Sequence, residues 1–153
     1  MIHVPEELIE STWQAVGAST GEKLLKLQKT HRKAQHALTM FAYGNFTSLH
    51  EDSAGVAIYV YHVVLEAFAR ALPRPRRVSR AQIERSFANQ RQSKEFDFET
   101  SLDESPEPHA LRYVYEALSE DADDVVLSEQ EREHIFGIME TAILCLHHSC
   151  ERK

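Results

Sequence analysis

The stretch LHEDSAGVAIYVYHVVLEAFARAL, residues 49–72, decides the fold class of this 153-residue chain. Its centre is apolar on nearly every side, which is typical of a helix buried in the middle of a domain. Residues 56–65 are rich in β-branched and aromatic side chains, so a strand is the alternative. The helix is favoured because EAFARAL continues the segment with strong helix formers and no turn residue intervenes. We therefore predict a central helix over about 49–72, ended by Pro73.

Helix start signals lie on both sides of this segment. A capping box, in which a Ser or Thr and a Glu or Gln three residues later satisfy the first free amides of a helix, occurs four times. The pairs are Ser19 with Glu22, Ser48 with Glu51, Ser79 with Gln82, and Ser128 with Glu131. Proline at a first helical position marks two further starts, at Pro5 and Pro108. With the apolar periodicity after each start, the sequence predicts an all-α, compact bundle of about six helices: about 5–16, 20–44, 49–72, 79–93, 108–119 and 128–150.

Length and composition indicate a single helical domain over residues 1–153. Five glycines and five prolines are too few to punctuate a fold of many short strands. The second, third and sixth predicted helices are expected to form the core, and an acidic surface loop is expected at about 95–108. Cys145 and Cys150 lie too far apart around one helix to form a disulfide. No secretory signal and no apolar run of about 20 residues occurs, so we expect a soluble, cytoplasmic protein with reduced thiols and no membrane partner.

A polar stripe interrupts the apolar central helix. Its members recur at intervals of three, four and seven residues, which places them on one face: Asp52, Tyr59, His62, Glu66 and Arg70. His62 and Glu66 lie one turn apart, so they are candidates for metal ligands or for an acid–base pair in which the carboxylate orients the imidazole. The alternative is that the stripe is the side on which the central helix meets water.

Two further histidines bear on the metal hypothesis. His31 lies in the apolar seam of the predicted 20–44 helix, and His147 flanks the apolar face of the last helix. If both meet His62 and Glu66, the four side chains form a mononuclear zinc or iron site. The alternative for His31 is a buried, hydrogen-bonded core residue.

The charges are segregated along the chain. Residues 70–94 hold eight basic side chains against Glu84, and residues 95–133 hold fourteen acidic side chains against Arg112 and Arg132. The candidate basic surface consists of Arg74, Arg76, Arg77, Arg80, Arg85 and Arg91. Such a surface is able to contact nucleic-acid phosphates, but the net charge of −7 disfavours that partner, and the acidic stretch is an alternative, internal partner.

No glycine-rich phosphate loop and no Gly-x-Ser-x-Gly elbow occurs in the sequence. Because no catalytic template fits, we expect a non-enzymatic interaction or regulatory module that self-associates or binds another protein through its charged surfaces. A metal-binding protein or metal-dependent enzyme built on His62 and Glu66 is the first alternative. Nucleic-acid binding through residues 70–94 is the second.

Overall fold

The computed structural model describes residues 3–71, 73–91, 98–119 and 126–150, and every regular element in these ranges is an α-helix. The all-α prediction is confirmed, with eight helices in the described ranges where about six were predicted. In chain order they are α1 (Glu6–Gly17), α2 (Gly21–Ala34), α3 (His36–Phe46), α4 (Glu51–Arg70), α5 (Arg80–Arg91), α6 (Phe98–Glu104), α7 (Pro108–Ser119) and α8 (Glu129–Cys150).

The central position predicted for α4 is confirmed. Half of its 20 residues are buried, and it packs against α1, α2, α3, α7 and α8. The long C-terminal helix α8 supplies the other large share of the core, with Ile135, Phe136 and Ile143 fully buried. Cys145 and Cys150 are free, buried thiols, and burial raises the pKa of Cys150 to about 12. At neutral pH both residues therefore act as small apolar side chains rather than as nucleophiles.

Two of the four predicted capping boxes form. The Ser79 amide donates to Gln82 Oε1 at 2.8 Å and the Gln82 amide donates back to Ser79 Oγ at 3.2 Å. Ser128 and Glu131 make the same reciprocal pair, with both distances 3.1 Å. Pro108 is the first residue of α7, as predicted, whereas Pro5 is the residue before α1.

The other two capping boxes were wrong because a neighbouring residue caps the helix. Thr20 caps α2, since its hydroxyl accepts from the Lys23 amide at 3.4 Å. The Ser19 hydroxyl donates instead to the Ala15 carbonyl, behind it in α1. At the start of α4 the cap is His50, whose Nδ1 accepts from the Asp52 amide.

The predicted 20–44 helix is divided at Gln35, where φ is −133° and ψ is 61°. The cause is tertiary. The Gln35 side-chain amide donates to the Arg76 carbonyl at 2.9 Å, and its carbonyl oxygen accepts from the Val78 amide at 2.9 Å. Gln35 thus pairs with the backbone of the extended segment that leads into α5, and α3 leaves in a new direction from α2.

The predicted acidic loop over about 95–108 was wrong for residues 98–104, which form α6 and pack against α7. Leu102 gives this short helix an apolar contact with the core. Residues 95–97 of that loop lie outside the described residues, as do residues 92–93 at the end of the predicted fourth helix. No helix in the described ranges is both long enough and apolar enough to cross a membrane.

Candidate functional site

The polar stripe on α4 passes from solvent into the interior. Asp52 is exposed at the first turn and Tyr59 is 37% exposed, whereas His62 is only 2% exposed beneath α2. Glu66 is half-buried, and its carboxylate forms an ion pair of 3.2 Å with Arg70 one turn later. One part of the stripe therefore faces solvent and the other part is buried. The candidate site is built on the buried part.

The buried part of the stripe meets a histidine from α2. The rings of His31 and His62 stack with their planes 12° apart, and their Nδ1 atoms are 2.9 Å from each other. On the outer sides of the pair, His31 Nε2 lies 3.2 Å from Glu66 Oε1, and His62 Nε2 lies 2.5 Å from the Tyr43 hydroxyl. Tyr43, His62, His31, Glu66 and Arg70 thus form a continuous chain of contacts, which we name the histidine network.

The partners in this network fix the direction of each hydrogen bond. The Glu66 carboxylate, paired with Arg70, accepts from His31 Nε2–H, so the Nδ1 of a neutral His31 is an acceptor. His62 must then donate through Nδ1–H, and its Nε2 accepts from the Tyr43 hydroxyl. Every nitrogen of the two rings is satisfied without water, which is the condition for burying polar groups at low cost.

Burial dominates the electrostatics of the network. It lowers the pKa of His62 to about 3, with smaller contributions from neighbouring His31 and Arg32. Burial also lowers the pKa of His31, against the opposing effect of Glu66, and raises the pKa of the Tyr43 phenol, against that of Arg32. At neutral pH the network therefore holds a neutral phenol and two neutral imidazoles.

A groove of about 280 Å³ between α1, α2 and α4 reaches the network at His62. Its apolar walls are Val16, Leu24, Leu27 and Ile58, with Gly55 also in the lining. Among the described residues, the polar groups in the lining are His62, the amide of Gln28 and the hydroxyl of Tyr59, and none of the described side chains in the lining is charged. Within the described part of the chain, neither Gln28 nor Tyr59 makes a side-chain hydrogen bond, so both are able to bond a ligand.

The structure brings together three of the four predicted metal ligands. Glu66 reaches His31 at Nε2, on the opposite side of the ring from the Nδ1 pair. His147 belongs to a different network, since its Nδ1 lies 3.2 Å from Glu107. Across the described ranges, no group of three or more His, Cys, Asp or Glu side chains is arranged to hold a metal ion. A metal ion at this site would therefore have two imidazoles as protein ligands.

Glu107 is the centre of a second buried network. Its carboxylate is fully buried and accepts from the backbone amides of His3, at 2.6 Å, and Val4, at 3.2 Å, as well as from His147. These partners tie the N-terminal segment to α7 and α8. We assign this network a structural role because the contacts of Glu107 with His3, Val4 and His147 join separate parts of the fold.

The hydrogen bonds between Gln35 and the backbone of Arg76 and Val78 position the basic surface beside the end of α2. Arg74, Arg76, Arg77, Arg80 and Arg85 are exposed, whereas the side chain of Arg91 lies outside the described residues. Arg77 Nη2 donates to the Lys33 carbonyl at 2.8 Å, so this segment adjoins the basic end of α2. Within α5, Arg80 forms an ion pair of 3.6 Å with Glu84 one turn later.

Comparison with family models, with curated proteins and with solved structures finds no match for this chain. Its function is therefore argued from the site alone.

Two members of the site, Tyr43 and Gln28, were missed from the sequence. Tyr43 lies in the second half of the predicted 20–44 helix, and only the break at Gln35 turns α3 so that the Tyr43 hydroxyl reaches His62. Gln28 follows Leu27 on the inner side of α2, where its spacing from Leu24 and His31 was the available signal.

Proposed function

We propose that this chain is a non-enzymatic binding module that holds a compact, neutral, largely apolar molecule in the groove between α1, α2 and α4. The observation that supports this most is the placement of His62. It is a buried, fully hydrogen-bonded imidazole with a strongly lowered pKa, and it lies in the lining of a largely apolar groove. Apolar pockets with a few convergent polar groups and perturbed ionisable residues are the usual form of small-molecule sites.

The size and lining of the groove define the class of ligand. An apolar cavity of about 150 Å³ holds one benzene molecule, so a groove of about 280 Å³ fits a bicyclic aromatic molecule or an equivalent aliphatic one. The absence of charged side chains from the described lining disfavours an ion, because its desolvation would be uncompensated. Gln28 and Tyr59 supply the hydrogen bonds for one carbonyl, amide or hydroxyl group on the ligand.

Binding is favoured over acid–base catalysis for two reasons. A general base is most effective when its pKa lies near the working pH, and that of His62 is lowered to about 3. In addition, both nitrogens of His62 are already occupied, by His31 and Tyr43, so neither is free to take a proton from a ligand. The histidine network instead holds the His62 side chain in a fixed position at the base of the groove.

Ligand binding is tested with 2-naphthol, a neutral bicyclic probe with one hydroxyl, added to the ¹⁵N-labelled full chain. We expect saturable chemical-shift changes at Gly55 and the His62 ring, with a Kd on the order of 0.1–1 mM for a fragment of this size. Gly55→Leu should abolish them, because Gly55 lines the groove and a Cβ added there meets no atom within 4 Å, which leaves room for the leucine side chain to occupy the groove. Gly44→Leu is the matched control, since it also adds a side chain to open space on a helix.

Three results contradict this function. They are the absence of saturable shifts up to the solubility limit, shifts that persist in Gly55→Leu, and tighter binding of 2-naphthoate, the anionic counterpart of the probe. The last result would assign the groove to an anionic ligand.

Metal binding is the second candidate, favoured by one specific observation. The two Nδ1 atoms face each other, while His31 Nε2 is bonded to the Glu66 carboxylate, which is a typical outer partner of a metal-bound histidine. Tetrahedral zinc would require the nitrogens to separate from 2.9 Å to about 3.3 Å and to be joined by further ligands. Elemental analysis of untagged protein, with thermal shift on adding zinc or iron, tests it: no stoichiometric metal and no shift removes this candidate.

Self-association and a cytoplasmic location belong to the same proposal. Trp13 and Leu25 are 43% and 66% exposed, and large apolar side chains at the surface of the two helices beside the groove support contact with a second copy. A monomer by light scattering at high micromolar concentration would contradict it. The two free thiols support a reducing compartment, for which the cytoplasm is the natural assignment.

A further inference from the structure

A second groove, of about 550 Å³, lies between α3 and α5 and shares no lining residue with the first. Its apolar surface consists of Ala37, Met40 and Phe41 on α3 and Ile83 on α5. Met40 is 44% exposed, so it leaves apolar surface uncovered in this groove. The positions on α3 are spaced by three and four residues, which presents a continuous apolar strip along one helix wall.

Positive charge is concentrated at one end of this groove. Arg80, the first residue of α5, belongs to its lining, and the Gln35 contacts hold the segment before α5 against the end of α2. Through the bond from Arg77 to the Lys33 carbonyl, the basic end of α2 adjoins the same place. The exposed charges here are Lys33, Arg76, Arg77 and Arg80 against Glu84, a net charge of +3. Both α3 and α5 begin at this end, so their dipoles add the same sign.

We propose that the groove between α3 and α5 binds an acidic amphipathic helix of a partner protein. An apolar strip flanked by basic side chains is complementary to a helix that carries apolar residues at three- and four-residue spacing and carboxylates beside them. The apolar residues of such a helix would pack on Met40, Phe41 and Ile83, and its acidic residues would face Arg77 and Arg80. Met40 suits this role because its flexible side chain adapts to the shape of what it contacts.

A nucleic acid is the rival occupant of the basic residues, and the groove argues against it. Phosphates would contact the arginines alone and leave the aliphatic surface of Ala37 and Met40 in water. A partner that contacts both the basic side chains and the apolar strip is favoured, because it explains why both features occur in one groove.

The experiment is fluorescence polarisation with the full chain and a labelled helical peptide of about 18 residues, or five turns, that carries Leu at three- and four-residue spacing and Glu elsewhere. We expect saturable binding in the micromolar range that weakens as salt rises. Met40→Glu should weaken binding at least tenfold, because it places a carboxylate on the apolar strip. Leu25→Glu is the matched control, since it also replaces an exposed apolar side chain on a helix with glutamate, and should leave binding unchanged.

Further measurements test whether binding depends on this groove or only on positive surface charge. The double variant Arg77→Ala/Arg80→Ala should weaken peptide binding, and a peptide with Lys in place of Glu should not bind. Equal binding of the Lys peptide, equal loss in Leu25→Glu and Met40→Glu, or no binding at all overturns the proposal. It is overturned as well if a 20-nucleotide single strand binds more tightly than the peptide and is lost in Arg76→Ala/Arg77→Ala but not in Met40→Glu.

Discussion

Lowering the pH from 7 to 5 should destabilise this protein through His62, and the size of the effect follows from the structure. The pKa of His62 is about 6.5 in the unfolded chain and about 3 in the folded one. Because the unfolded chain binds the extra proton, the stability contributed by the neutral imidazole is complete above pH 6.5 and is lost as the pH falls toward 3. Between pH 7 and pH 5 the loss from this residue is about 2 kcal/mol, at 1.36 kcal/mol per unit below 6.5. This is a large share of a typical domain stability of about 5–15 kcal/mol.

Urea unfolding at a series of pH values measures this effect, with fluorescence of Trp13, the single tryptophan, as the signal. We expect the wild-type chain to lose about 2 kcal/mol more between pH 7 and pH 5 than His62→Gln loses. Thr39→Val is the control, because it removes the buried hydrogen bond to Tyr61 and lowers stability without removing a group that titrates in this range. Equal losses in the wild-type chain and in His62→Gln would refute the reasoning.

Three further changes test other parts of the fold. Gly55→Ala should stabilise the protein by about 0.5–1 kcal/mol, because the site is helical and a β-carbon meets no atom within 4 Å; a lower melting temperature by circular dichroism would contradict this. Glu107→Ala should cost about 3 kcal/mol and speed hydrogen exchange at the amides of His3 and Val4, which lose their acceptor; unchanged exchange there would show that other contacts hold the N-terminal segment. Gln35→Ala should cost about 1–3 kcal/mol and expose the Val78 amide, and a Val78 amide that stays protected would rule out Gln35 as its anchor.

Periodicity and composition were sufficient for most of the fold. The run through residues 56–65 is apolar on nearly every side because α4 packs against five other helices, and a pattern of that kind is readable without coordinates. The capping boxes at Ser79 and Ser128 were readable for the same reason, since both partners lie within one turn. The break at Gln35 could not be predicted from the sequence, because its cause is a pair of hydrogen bonds to residues more than forty positions away.

The candidate site, like the fold, was predictable from the sequence only where local periodicity decides it. The sequence by itself determined that the fold is all-α, that α4 is central, and that His62, Glu66 and Arg70 share one face, because helical periodicity is a local property. Only the tertiary structure decided that α2 covers His62 and places His31 against it, that Tyr43 completes the chain of contacts, and that His147 pairs with Glu107. Whether a polar stripe meets water or another helix depends on packing between distant segments, and no local pattern records it.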